Sequence, residues 1–332
     1  MRAILASAEG PVLGSAAEPQ LSADRVIVEV RAACLNRYDL KMSRGATHGS
    51  AGGIGVPFGM EFAGVIHEVG ASVDRWRPGD RVMGTAPGAF AERVSADPSV
   101  LYSVPDELNF VEAASLPVGL QTMHDALVAR GRFRAGDSVL IHGASSGMGI
   151  IGMQIARRLG ASSVIGTSTT AARRSRLGDF GADAAVDSSA DGWENEVLDH
   201  TGGDGVDVVL DLVAGRSVPA TMRATKIGGC VVNIGRVAGE SGEVDFDLHS
   251  MRRITYVGTT FRTRSPQEVA DVVTAASDAL LSEVAAKHIT IPVEHVFDYQ
   301  DAFDAFELMA RNEHFGKVVI AITSEPEAEE AV

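Results

Sequence analysis

Val139-Leu-Ile-His-Gly-Ala-Ser-Ser-Gly-Met-Gly149 runs directly into Ile150-Ile-Gly-Met-Gln-Ile-Ala-Arg-Arg-Leu-Gly160. Apolar, β-favouring residues end in a turn punctuated by Gly143, Gly147 and Gly149, and the turn opens onto a segment of helical periodicity. Strand, glycine-rich turn and helix is the order in which an α/β fold aims backbone N–H groups at a phosphate. Glycine-rich turns also join strands to helices for packing alone, so the flanking sequence must discriminate.

C-terminal to the turn, strands and helices alternate. Strand-like segments are Ser138–His142, Val164–Thr167, Ala184–Val186, Val206–Leu210, Gly229–Ile234 and Thr255–Gly258. Helical stretches lie between most of them, near residues 149–159, 171–179, 192–200 and 216–226. Six strands with crossovers predict a doubly wound parallel six-stranded sheet. N-terminal to the turn the pattern is β-rich. Val26–Arg31, Glu61–Gly70, the segment entered at Pro78-Gly-Asp-Arg-Val82, Ala89–Val94 and Val100–Val104 read as short strands. Gly45 to Gly59 carries six glycines and one proline, too broken for regular structure. Helical periodicity covers Phe110 to Leu116 and Leu120 to Arg130, interrupted at Pro117. The last elements, helix Pro266–Ser282, strand Val293–Phe297, helix Asp301–Ala310 and strand Lys317–Ile322, exceed what six strands need and are expected to return to the N-terminal domain. The fold expected is therefore α/β, with a β-rich domain over 1–117, a doubly wound domain over 118–262 and a returning segment over 263–323. Residues 324–332 hold four glutamates and are expected to be a disordered acidic tail.

A length of 332 residues suits two cores better than one. Hydrophobic residues make up 45% and charged residues 22%, the balance of a soluble globular chain. A net charge of −15 argues against nucleic acid and anionic membrane as partners, so an anionic ligand must be caught by a local basic site. The apolar runs are strand-sized and the N-terminus lacks the apolar core of a signal peptide, which makes a cytoplasmic location the expectation. Cys34 and Cys230 stand far apart and outside any Cys-x-x-Cys pair, excluding a disulfide framework or a thiolate cluster.

If the turn binds a dinucleotide, the end of the second strand reports which one. A carboxylate there takes the ribose 2′-OH of NAD, whereas a basic residue accommodates the 2′-phosphate of NADP. Here the second strand ends Ile165-Gly-Thr-Ser-Thr-Thr-Ala-Ala-Arg-Arg174, and neither Asp nor Glu occurs between Asp137 and Asp179. Thr167, Ser168, Thr169 and Thr170 with Arg173 or Arg174 can surround a phosphate, and an Arg fork binds phosphate bidentately. The other reading is that these arginines merely solvate a helix start, where positive charge is unfavourable. The pattern predicts NADPH.

Several further motifs carry a resemblance over most of the chain: Leu35-Asn-Arg-Tyr-Asp39, Phe58-Gly-Met-Glu-Phe-Ala-Gly64, Pro78-Gly-Asp-Arg-Val82, Gly88-Ala-Phe-Ala-Glu92, Ala113-Ala-Ser-Leu-Pro117 and Gly316-Lys-Val-Val319. The chain resembles the medium-chain dehydrogenase/reductase superfamily, in particular its zinc-independent quinone oxidoreductase and enoyl reductase branch. The resemblance implies a GroES-like catalytic domain, a Rossmann domain and a homodimer formed through the edge of the Rossmann sheet. It implies cofactor contacts from Ala144, Ser145, Ser146, Gly147, Met148 and Gly149, from Asn233 and Gly235 after the fifth strand, from Phe261 after the sixth, and from Lys317. Ser146 stands where the family usually has glycine. Gly143 to Gly149 also matches the short-chain dehydrogenase fingerprint, but that rival needs Tyr-x-x-x-Lys, and Tyr38, Tyr102, Tyr256 and Tyr299 are followed by Met42, Asp106, Thr260 and Phe303.

In zinc enzymes of the superfamily a Cys and a His hold the metal; the corresponding positions here are Asn36 and Met60, and no Cys lies around Gly119. No metal is expected. Without a Lewis acid, electron-poor substrates such as quinones and α,β-unsaturated carbonyls accept hydride most easily. Tyr38, Lys41 and Asn36 fall in the segment that replaces the metal site and are the candidates to stabilise or protonate the developing oxyanion. Two of them have a plainer reading, as a core aromatic for Tyr38 and a turn cap for Asn36. The expected function is NADPH-dependent reduction of a quinone or an activated C=C bond in a small electrophilic substrate. The alternatives are a zinc-independent carbonyl reductase or alcohol dehydrogenase, and a non-catalytic NADPH-binding sensor.

Overall fold

The computed structural model describes residues 1–49 and 51–323; the expected acidic tail lies outside the described residues. The chain forms two compact units, one from Met1–Val118 together with the chain from Arg262 onward, the other from Gly119–Phe261.

The first unit is built on a seven-stranded sheet. Val26–Cys34 is central. It pairs antiparallel with Glu61–Val69 on one side and with Lys317–Ala321 on the other, so the end of the chain does return to the N-terminal sheet. Val293–Asp298 extends the sheet in parallel beside Lys317–Ala321. An N-terminal hairpin, Arg2–Ser7 with Gly10–Ser15, was not visible as periodicity and adds a separate two-stranded ribbon. Side chains from loops beside the sheet and from helix Ala302–Arg311 meet in an aromatic cluster: Phe58 and Phe90 lie edge to face at 5.3 Å, and Phe306 tilts against Phe58 and meets Phe90 edge to face. Gly64 is required where the Glu61 strand crosses the Val26 strand, because a Cβ there would overlap the carbonyl of Glu29. Pro117, expected to interrupt a helix, instead starts one, Pro117–His124. Its missing N–H is no loss at a first helical position.

The second unit holds a six-stranded parallel sheet. In space the order is Ala184–Val186, Ser163–Thr167, Ser138–His142, Val206–Asp211, Thr225–Asn233 and Thr255–Gly258. Numbered along the chain this is 3-2-1-4-5-6, the doubly wound order of dinucleotide-binding sheets. Val139, Leu140 and Ile141 of the first of these strands are fully buried, as expected for a strand covered on both faces. The order reverses between Ser138–His142 and Val206–Asp211, and ligands of open α/β sheets bind at that reversal, beyond the carboxyl ends of the strands. Helix Phe246–Arg252, capped by Asp245 accepting from the Leu248 N–H, was not anticipated from sequence. Among the described residues no helix is long and apolar enough to cross a membrane.

Candidate active site

A polar centre stands out in each unit. In the second unit it is the turn after Ser138–His142. Gly143 has φ +92°, a left-handed conformation that lets the chain leave the strand and enter helix Gly147–Arg158 within four residues. Ser146 caps that helix: its Oγ accepts from the Gly149 N–H at 3.1 Å and donates to the Gly143 carbonyl at 2.9 Å. The serine in the usual glycine position thus occupies itself inside the turn. The backbone N–H groups of Ser145, Gly147 and Met148 have no hydrogen-bond partner among the described residues. Three free donors at the positive end of a three-turn helix form an anion site of the kind that holds a pyrophosphate.

Around this turn the second strand contributes hydroxyls. Thr167 Oγ1 accepts from the Gly143 N–H at 3.0 Å and bonds His142 Nδ1 at 2.8 Å, while Ser168 Oγ meets Ser145 Oγ at 2.9 Å. Thr169 and Thr170 are exposed, and Arg173 is half-buried. Arg174 is committed elsewhere: it donates to the Ser168 carbonyl at 3.0 Å and pairs with Asp187 at 2.9 Å. Asp187, just past the third strand, was not weighed in the sequence reading; its bonds to Ser189 and then Arg174 hold its carboxyl below the ordinary range. Asn233 Nδ2 donates to the Gly235 carbonyl at 3.2 Å, and Gly235 lies so close to Leu212 that a Cβ would overlap its backbone. Phe261 is half-buried at the end of the unit. Sequence reading also missed His142 and Asp211, side by side on adjacent strands at the sheet's reversal point. His142 stacks on Trp193 at 4.8 Å, and burial lowers its pKa against the opposing pull of Asp211.

The first unit's polar centre lies across three neighbouring strands. Cys34 is opposite Glu61 on one side and Val319 on the other, so Cys34, Glu61, Val319 and, by the two-residue period, Lys317 share one sheet face. The Lys317 ammonium reaches across Cys34 to Glu61 Oε2 at 2.7 Å and to Asn36 Oδ1 at 2.8 Å. Asn36 Nδ2 donates to the same Glu61 Oε2 at 3.0 Å, and Glu61 Oε1 accepts from the Val118 N–H at 2.7 Å. The side chains of Lys317 and Glu61 are 5% and 0% exposed. Burial works against the charge on Lys317, yet its pKa lies above the ordinary lysine value because Cys34, Glu61 and the Glu61 hydrogen bond favour the ammonium. Burial also pushes the Cys34 thiol up, so Cys34 is neutral at pH 7 and Glu61 is the partner that holds the ammonium charged. Asp39 accepts from the Asn36 N–H at 2.7 Å, fixing the backbone at Asn36; burial outweighs that bond and Lys317, and its pKa is pushed up to about 7.

Of the residues expected to act on substrate, the structure brings Asn36 into this centre and leaves Tyr38 and Lys41 outside it. The Tyr38 hydroxyl donates to the Thr47 carbonyl at 2.7 Å, its ring meeting His48 edge-on at 5.3 Å, and Lys41 is exposed on the short helix Asp39–Met42. Lys317, expected to face the cofactor, has its ammonium turned inward onto Glu61 and Asn36. The sequence did hold a signal for Glu61 and Lys317. Both are charges within strand-forming apolar runs, and opposite charges buried in one sheet must pair.

Two family models match the chain: an alcohol dehydrogenase GroES-like domain over residues 22–106 and a zinc-binding dehydrogenase over residues 147–278. The chain belongs to the medium-chain dehydrogenase/reductase superfamily. Among solved structures, an alcohol dehydrogenase superfamily protein from Novosphingobium aromaticivorans is 29% identical with a TM-score of 0.87, covering 97% of this chain and 100% of that one. The CurK enoyl reductase is 25% identical with a TM-score of 0.84, covering 96% and 98%. Among curated proteins, the hybrid PKS-NRPS synthetase pynA of Aspergillus niger is 33% identical over 320 residues, 91% of this chain and 8% of the synthetase. The chain spans 8% to 14% of the curated relatives it matches. As a member of this superfamily it is an oxidoreductase with a nicotinamide dinucleotide site.

The zinc in the second model's description finds no fitting donor set. Asn36 and Met60 stand at the expected ligand positions, and both Glu61 oxygens are already bound, one by an ammonium. Among the described residues no group of three His, Cys, Asp or Glu side chains is placed to hold a metal ion, whereas catalytic zinc needs three protein ligands.

Proposed function

We propose that the chain is an NADPH-dependent, metal-free reductase of activated C=C bonds, with α,β-unsaturated carbonyls as its main substrates and quinones as chemically similar ones. The observation that carries this reading is the Asn36 amide: half-buried, held by Lys317 and Glu61, with its second Nδ2–H unpartnered among the described residues. An N–H held in place by two ionised neighbours suits an oxygen on which negative charge develops. A dinucleotide held in the second unit would supply the hydride for the electron-poor β-carbon. As the C=C electron pair shifts and charge collects on the substrate oxygen, Asn36 would stabilise the enolate, and a proton from solvent at the α-carbon would complete the reduction. The likeness to the CurK enoyl reductase and to polyketide synthases supports the substrate class.

For the dinucleotide, Ser145, Gly147 and Met148 N–H groups would hold the pyrophosphate, and Thr169 with Arg173 the 2′-phosphate. Steady-state assays with an enone and with a quinone test the reading. The expected result is nicotinamide oxidation with a KM for NADPH well below that for NADH. Arg173→Ala is expected to raise the KM for NADPH about tenfold, the value of one charge-assisted bond, and to leave NADH unaffected. Nucleotide binding without turnover would favour a sensor, and reduction of simple ketones alone a carbonyl reductase.

The same reading includes a homodimer. Thr255–Gly258 is the outer strand of the second unit's sheet and is largely exposed, and Val237, Phe246 and Met251 in the chain leading to it are 73%, 76% and 69% exposed. A bare edge strand and exposed apolar side chains on the same unit favour pairing with a second copy. Light scattering is expected to give twice the 34.8 kDa chain mass, and Phe246→Glu with Met251→Glu to reduce it to one chain.

A further inference from the structure

We infer that Lys317 and Glu61 are positioning residues that fix the polarity of the Asn36 amide, so that Asn36 always presents an N–H, never its carbonyl, to a substrate oxygen. The inference rests on the reading of Asn36 as the oxyanion donor.

The two ends of a carboxamide are nearly equal in size, and only its neighbours decide which end is which. An ammonium can only donate, so the Asn36 atom 2.8 Å from Lys317 Nζ is the oxygen. A carboxylate oxygen can only accept, so the atom 3.0 Å from Glu61 Oε2 is the nitrogen. Turning the amide over would set N–H against ammonium and oxygen against carboxylate at once. Both neighbours are buried, so no solvent relieves either clash. Glu61 is in turn held by the Val118 N–H, and Asn36 by Asp39 through its backbone. One Nδ2–H is spent on Glu61; the other is the group on offer. The pair is close to neutral overall, so it orients the donor without placing a net charge beside the oxyanion. A pair that only held the sheet together would not need both of its members bonded to Asn36.

The double variant Lys317→Met with Glu61→Gln separates orientation from stability. The introduced glutamine can still accept from Val118 through its carbonyl oxygen, and its amide nitrogen can donate to Asn36 once Asn36 turns over. Neither member of the pair leaves an unpaired charge behind, and the outward group becomes a carbonyl oxygen. Two readouts apply: the ionisation of bound 4-nitrophenol, followed by absorbance, and steady-state reduction of an enone by NADPH. In the wild type the bound phenol is expected to ionise at lower pH than in water. In the double variant that shift disappears and kcat falls about 100-fold, the effect of one lost oxyanion donor, while NADPH affinity and Tm change little. Asn36→Ala, which leaves the ion pair intact, is expected to give the same two losses and serves where the double variant does not fold. A wild-type phenol shift that persists in Asn36→Ala or in the folded double variant overturns the inference, as does its absence in the wild type. If the wild type reduces no enone but shifts the phenol, the reductase reading fails and the positioning role stands.

Discussion

Lys317→Met is expected to destabilise the first unit by about 3–5 kcal/mol, the usual consequence of leaving one member of a buried ion pair without the other. The methionine matches lysine in length and flexibility, so packing changes little and the loss is electrostatic. Glu61, with no exposed side-chain surface, keeps only the Val118 N–H and the Asn36 amide for its two oxygens. Those two neutral donors do not replace an ammonium at 2.7 Å. The double variant with Glu61→Gln is expected to recover most of the loss, because an uncharged pair carries no desolvation penalty. A surface control makes the size of the effect legible. Arg311 and Glu307 form an i,i+4 pair with side chains 53% and 72% exposed, and Arg311→Met is expected to change stability by well under 1 kcal/mol. Urea unfolding followed by circular dichroism measures all three. A loss for Lys317→Met no larger than that for Arg311→Met would mean the buried pair contributes nothing to the fold.

The sequence carried the doubly wound sheet clearly because most of its strands contain a short apolar run and most of the helices between them have a 3.6-residue period. Those patterns are local, and burial of the central strands on both faces makes them stronger. The glycine turn was legible for the same reason, since Gly143 and Gly149 are demanded by backbone geometry a few residues away. Less local features were hidden. Ser146 looked like a departure from a glycine pattern, and only the structure shows its hydroxyl spent on Gly143 and Gly149. Asp187 stands some twenty residues beyond the second strand, and its pairing with Arg174 depends on two strands lying side by side. The centre of the first unit is the extreme case. Lys317 and Glu61 are separated by 256 positions, and the antiparallel pairing of both strands with Val26–Cys34 brings them together. Tyr38 and Lys41 drew attention by proximity to Asn36 in sequence. The short helix Asp39–Met42, which follows Tyr38 and carries Lys41, leaves the Tyr38 hydroxyl on Thr47 and Lys41 exposed.

Gly149→Ala is expected to weaken dinucleotide binding about ten- to 100-fold and to lower the stability of the second unit by about 1–3 kcal/mol, although it adds a single methyl group to a helix. A Cβ at this position would sit 2.5 Å from Ala144 Cα and 2.7 Å from its carbonyl carbon and oxygen. All three are backbone atoms, so no rotamer change relieves the overlap. Either the first turn of helix Gly147–Arg158 moves away from Ala144 or the turn itself opens. Both motions displace the Gly147 and Met148 N–H groups from the anion site, and one charge-assisted bond lost there amounts to about 1.5–3 kcal/mol. Alanine's better helix propensity, worth about 0.8–1 kcal/mol over glycine, acts in the opposite direction and is too small to compensate. Gly178→Ala is the matched control: it lies in the short helical segment Leu177–Phe180 with nothing within 4 Å of its added Cβ. Fluorescence titration with NADPH and thermal unfolding of both variants read the two effects separately. Wild-type affinity in Gly149→Ala would show that the turn binds nucleotide without close contact between helix and strand. A loss in affinity with unchanged stability would instead place the methyl group against the nucleotide rather than against Ala144.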